Sequence, residues 1–104
     1  MKIVFHLDFY SVYTSDPAAA KGRMEAIMRA IDGLYPMVTA HPATDDQIAL
    51  AHVERHISAV RKRGLHDIAA LAAGGAIQAA EIGLTEPAFA LVRPPGHHAS
   101  AQSS

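Results

Sequence analysis

Two adjacent histidines, His97 and His98, follow directly after Arg93-Pro94-Pro95-Gly96. Ahead of them, residues 88–92 form a short apolar run that stops at Arg93. Imidazoles titrate near neutral pH, so a fixed pair suits proton transfer to and from a reacting group. Pro94 and Pro95 stiffen the turn, and Gly96 is expected to take a backbone shape that other residues resist. Read as strand then loop, the segment sets the histidines past the carboxyl end of a parallel strand, where the open rim of such a sheet lies. Spacing alone leaves a second reading, an exposed loop that happens to hold two histidines.

The elements that must position this loop can be followed from the amino terminus. Residues 2–7 are a near-continuous apolar run with β-branched and aromatic members, as in a strand covered on both faces. Residues 8–16 read as a loop at its carboxyl end, with Asp8, Tyr10 and Tyr13 on the same rim as His97. They line a substrate entrance or simply cover apolar surface. Asp16-Pro17 resembles a helix cap with proline at the first helical position, although Gly22 allows a start near Arg23 instead. Met24, Ile27, Ile31 and Leu34 recur at helical spacing and predict a buried stripe. Residues 37–40 read as a short strand.

Thr44-Asp45-Asp46-Gln47 is a capping box, and Leu50, Val53, Ile57 and Val60 predict one helix running on to Gly64. Arg61-Lys62-Arg63 suits its carboxyl end, where the helix dipole favours cations. An alanine-rich helix over residues 66–83 follows, with Asp67 in its first turn and Gly74-Gly75 permitting close backbone contact. The order is β-α-β-α-α-β, with connections long enough for parallel strands. Residues 100–104 carry no structural signal of their own.

Composition narrows the function classes. The chain has 104 residues, half of them hydrophobic and 18% charged, so it reads as one domain over 1–104 and not as disordered. A net charge of −1 gives no electrostatic means of capturing nucleic acid or an anionic membrane. No cysteine means no disulfide and no thiolate metal site. The amino-terminal apolar run is too short for a signal peptide or a span, so a cytoplasmic location is the default. His52 and His56 are four apart, a spacing that can bind zinc. Val53 stands where a zinc-protease motif needs glutamate, so these histidines are expected at the boundary of an amphipathic helix. Arg93 is expected to form a local salt bridge or to position the loop.

Residues 93–99 resemble the tandem-histidine motif of the zinc-dependent histone deacetylase superfamily, which includes acetylpolyamine amidohydrolases and acetoin utilisation proteins. Pro17 with Gly22-Arg23-Met24 resembles the segment before that family's first long helix. His52-Val53-Glu54-Arg55-His56-Ile57 resembles a later helix, and residues 67–80, with Ala72-Ala73-Gly74-Gly75-Ala76, the helix before the motif. The resemblance covers nearly the whole chain but only the amino-terminal part of the family's domain. It implies an α/β fold: a three-layer arginase/deacetylase-like sandwich, here an amino-terminal fragment with a small, mainly parallel sheet.

The resemblance also implies a chemistry, hydrolysis of acetyl-lysine or acetylpolyamine-type amides. In the family, zinc polarises the acetamide carbonyl and activates a water, while a histidine relays its proton to the leaving amine. Carried over, the catalytic residues are His97 and His98, with His98 the general base and acid and His97 its electrostatic partner. Arg23, Tyr10 and Gly96 fall on the substrate side, Arg23 as an internal arginine near acetate release. The family's zinc ligands lie in Asp-x-Asp-x-His and a later aspartate, and no Asp-x-Asp-x-His occurs here. No residue is therefore assigned to a metal and no cofactor is expected on this chain alone; zinc belongs to the complete domain. The aspartates behind the two histidines and the oxyanion tyrosine also come from that later region, and the family's longer loop between its central helices shrinks to residues 61–65.

The chain alone is thus expected to be inactive. Its open apolar faces call for self-association or for the missing carboxyl-terminal portion, with an acetylated amine as substrate of the whole. The alternative is a non-catalytic interaction and assembly module that reuses the fold. A small phosphate-handling enzyme built on Arg93, His97 and His98 is disfavoured, because no glycine-rich phosphate loop follows either strand.

Overall fold

A computed structural model describes residues 1–103; Ser104, the last residue of the expected tail, lies outside the described residues. The strands are β1 (Lys2–Phe5), β2 (Met37–Thr39) and β3 (Ala88–Ala90). The α-helices are α1 (Arg23–Ile31), α2 (Asp45–Ala49), α3 (Glu54–Lys62) and α4 (His66–Ile82). All pairing is parallel, in the order β2-β1-β3, with Ile3 facing Met37 on one side and Phe89 on the other. This is the expected α/β class with its small parallel sheet.

Side chains alternate across a strand, so Val4 faces one side of the sheet and Ile3 and Phe5 the other. On the Val4 side, α4 packs against β1 and β3 through its small residues. A Cβ on Gly74 would fall on the His41 carbonyl oxygen and 2.5 Å from the Ala43 nitrogen. Only glycine permits this approach, and the Ala43 N–H uses it to reach the Ala70 carbonyl at 2.8 Å. On the other side Phe5 meets Phe9 and Tyr10, with ring centres 5.9 and 5.2 Å away. Met24 joins the same core, and Met28 and Ile31 pack against it.

Several expected boundaries move, each for a local reason. The first strand stops at Phe5, two residues early, because His6 Nδ1 accepts the Asp8 N–H at 3.0 Å and opens a 3-10 turn over Leu7–Tyr10. That turn, expected to be plain loop, buries Phe9 completely. Asp16 caps a separate 3-10 turn over Pro17–Ala19, so α1 begins at Arg23. The buried stripe of α1 is Met24, Met28 and Ile31, whereas Ile27 and Leu34 are exposed.

The predicted long helix divides into α2 and α3. Its capping box is present: Thr44 Oγ1 accepts the Gln47 N–H at 3.1 Å, and Gln47 Oε1 the Thr44 N–H at 2.9 Å. After Ala49 the N–H groups of Ala51 and His52 both turn to the Ile48 carbonyl, and the Val53 N–H leaves the helix to reach the Ala101 carbonyl at 2.9 Å. Leu50, expected in the buried stripe, is consequently 89% exposed. Arg61 spans the break with an ion pair to Asp45 at 2.9 Å.

Candidate active site

Arg93 organises the rim at the carboxyl ends of β1 and β3. It follows the strand that hydrogen-bonds beside β1, and its side chain turns inward, leaving the residue 3% exposed. A guanidinium carries five N–H donors. Here Nε–H donates to the Phe9 carbonyl at 2.6 Å, one terminal nitrogen to Ala18 and Ala20 at 3.3 and 3.1 Å, and the other to Tyr10 and Ser11 at 3.1 and 3.0 Å. The expected local salt bridge is absent among the described residues; carbonyl oxygens satisfy the buried cation instead. The Arg93 guanidinium carbon also stands 5.9 Å from the centre of the Tyr13 ring. Burial raises the pKa of the Tyr13 phenol, partly opposed by the positive charge of Arg93, so Tyr13 stays a neutral donor over a wide pH range.

Arg93 thereby ties the base of the histidine loop to the segment running from Phe9 to Ala20. The loop itself starts with a cis Arg93–Pro94 peptide and turns so that the Ala99 N–H reaches the Gly96 carbonyl at 2.9 Å. His97 and His98 are exposed, with ring centres 4.1 Å apart and planes inclined by 50°. Past them, the bond from Val53 N–H to Ala101 anchors the far side of the loop to the start of α3. The loop is thus held at both ends. Gly96 is not among the glycines with positive φ, and a Cβ there meets nothing within 4 Å, so the expected conformational demand on it is corrected.

Two cavities open near this rim. One, of about 330 Å³, is lined by Asp8, Ser11, Tyr13, Arg63, Leu65 and Asp67 among others, and so lies between the residues after β1 and the α3–α4 turn. The other, of about 230 Å³, includes His6, Phe5, Met37 and Thr39 at the ends of β1 and β2. His97 and His98 line neither. The substrate-side residues are dispersed. Tyr10 is half-buried against Phe5 and gives its carbonyl to Arg93. Arg23 is exposed and donates to the Pro17 carbonyl at 3.1 Å; the internal arginine of this fold is Arg93. Ser11, Arg63 and Asp67 as cavity walls escape sequence reasoning, because nothing in their spacing joins a loop after β1 to a turn some fifty residues later.

Among the described residues no group of three or more His, Asp or Glu residues gathers to hold a metal. What the rim offers is a pair of adjacent, exposed imidazoles on a loop fixed at both ends.

No protein-family model matches the chain. A curated probable deacetylase of Archaeoglobus fulgidus is 62% identical over 39 residues, a stretch covering 35% of this chain and 11% of that protein. The crystal structure of the HDA15 HD domain matches the whole of this chain with a TM-score of 0.81 at 24% identity, over 39% of its own length. The chain thus spans well under two thirds of either relative. The whole-chain match shows that the fold is that of a segment of the HDA15 HD domain, and the 39-residue stretch is similar in sequence to the probable deacetylase.

Proposed function

We propose that this chain is the histidine-bearing portion of a deacetylase-type amide hydrolase acting on acetylated amines such as acetyl-lysine or acetylpolyamines. The observation that carries the reading is the Arg93–Ala99 loop: a tandem-histidine motif past a parallel strand paired with β1, fixed at its base by the saturated Arg93 guanidinium. In this reading zinc is held by residues outside this chain. His98 accepts a proton from the attacking water and returns one to the leaving amine, with His97 beside it favouring negative charge at the carbonyl oxygen. Arg23, Tyr10 and Gly96 are assigned to the substrate side, and the compartment to the cytoplasm.

Acid–base help contributes about 10²- to 10⁴-fold, far less than amide hydrolysis requires, so the chain alone is inactive in this proposal. The test is hydrolysis of an acetyl-lysine peptide with added zinc. The isolated chain gives no turnover, and supplying the remaining part of a deacetylase domain restores it in a His98-dependent way. Zinc-dependent turnover by the chain alone, or restored turnover indifferent to His98→Ala, overturns the reading.

One observation favours a second reading, a non-catalytic assembly module. Ile3 is buried in the sheet, but its neighbours in register, Met37 and Phe89, are exposed at the two edge strands. An apolar row of this kind fits self-association or contact with the rest of a larger domain. Partner binding that survives His98→Ala, with no hydrolysis in any combination, would select it; a monomer at high concentration in sedimentation argues against self-association.

A further inference from the structure

His52 and His56 play no part in the reading above. His52 lies in the turn between α2 and α3, outside the helix that the sequence assigns to it, and His56 lies in the first turn of α3. His56 is only 9% exposed, on the buried face of α3 and not at the edge of its apolar stripe as expected. The two rings nevertheless meet, with centres 5.0 Å apart and planes inclined by 49°. His52 Nδ1 is buried and has no hydrogen-bond partner among the described residues. A buried polar nitrogen left unpaired is costly, and coordination to a cation removes that cost.

We propose that His52 and His56 form a two-imidazole site for a divalent transition metal such as Zn²⁺ or Ni²⁺, with solvent completing the coordination. Imidazole nitrogens bind zinc at about 2.0–2.1 Å, and two of them on one tetrahedral cation set their ring centres roughly 5 Å apart. The observed ring-centre separation of 5.0 Å is of that size. The ligating form is the neutral imidazole. Arg63 is among the charged neighbours of His56. Arg55, next to His56 in sequence, is exposed, and Glu54 accepts from Ser58 Oγ at 3.2 Å.

Arg63 opposes a cation, and no group of three potential ligands gathers among the described residues, so the site is an exchangeable one and not a structural zinc. Val53, between the two histidines, holds the Ala101 carbonyl. Metal binding would therefore brace the anchor of the histidine loop. This inference stands whether or not the deacetylase reading does.

The test is titration of the folded chain with Zn²⁺ at neutral pH, followed by calorimetry and by the imidazole resonances in NMR. One equivalent binds and shifts the His52 and His56 signals. His52→Gln and His56→Gln each weaken binding about tenfold or more, while the double variant His97→Gln/His98→Gln binds as before. If His56→Gln does not fold, His52→Gln, at a less buried position, carries the comparison. Absence of Zn²⁺ uptake, or uptake lost in the His97/His98 variant and kept in His52→Gln, overturns the proposal.

Discussion

The Nε–H of Arg93 donates to the carbonyl of Phe9 at 2.6 Å, joining residues 84 positions apart in sequence. Four more bonds from the same side chain hold residues 10–20 in place. Lysine has three donors on one nitrogen and cannot reproduce the planar fork. Arg93→Lys is therefore expected to strand buried carbonyls and cost about 3 kcal/mol or more of stability. Urea unfolding checks this; an unchanged midpoint would mean that the carbonyls find other partners.

Gly74 sits mid-helix, where alanine ordinarily stabilises by roughly 1 kcal/mol. Here the added methyl collides with the backbone of residues 41–43, which α4 touches directly. Gly74→Ala should reverse the usual sign and destabilise by about 1–3 kcal/mol. A gain in melting temperature would show that α4 stands further from that segment.

Burial lowers the pKa of His56 in the fold below its ordinary value of 6.5. As pH falls through 6.5, the unfolded chain binds the proton first, so stability drops on acidification until the folded form is protonated as well. His56→Gln should flatten this acid limb. The comparison is made by chemical denaturation between pH 5 and 8 with a chelator present. Equal acid sensitivity in both proteins would remove His56 as its cause.

His97 and His98 are exposed and make no side-chain hydrogen bond among the described residues. Replacing either with alanine should change stability by no more than about 0.5 kcal/mol. The same substitutions should abolish hydrolysis in any assembled deacetylase. A large loss of stability would recast the pair as structural.

Thr44 Oγ1 closes the capping box of α2. Thr44→Ala should cost about 1 kcal/mol, read as a lowered unfolding midpoint. No change would mean that the short α2 frays without consequence.

Local chemistry was legible in the sequence: the Thr44 box, the stop at Gly64, the alanine-rich α4 and the strand before Arg93 all occur. Burial set by distant partners was not. Periodicity placed Leu50 in the core, but a hydrogen bond from Val53 to Ala101 breaks the helix first. Phe9 looked like loop because no period marks a single 3-10 turn. Arg93 read as a salt-bridge partner or as a residue positioning the loop, and the carbonyls it binds are groups that every residue has and no sequence pattern reveals. The histidine pair was found by residue type and order, and its anchorage on both sides came from contacts no motif encodes.

The central place of β1 between β2 and β3 has a consequence for synthesis. During synthesis β1 can acquire its second neighbour only when Ala88–Ala90 has been made. Until then its apolar surface must be sheltered by transient collapse or by a chaperone. Ribosome-bound intermediates halted before residue 88 should therefore be the most protease-sensitive and aggregation-prone species in the life of this protein.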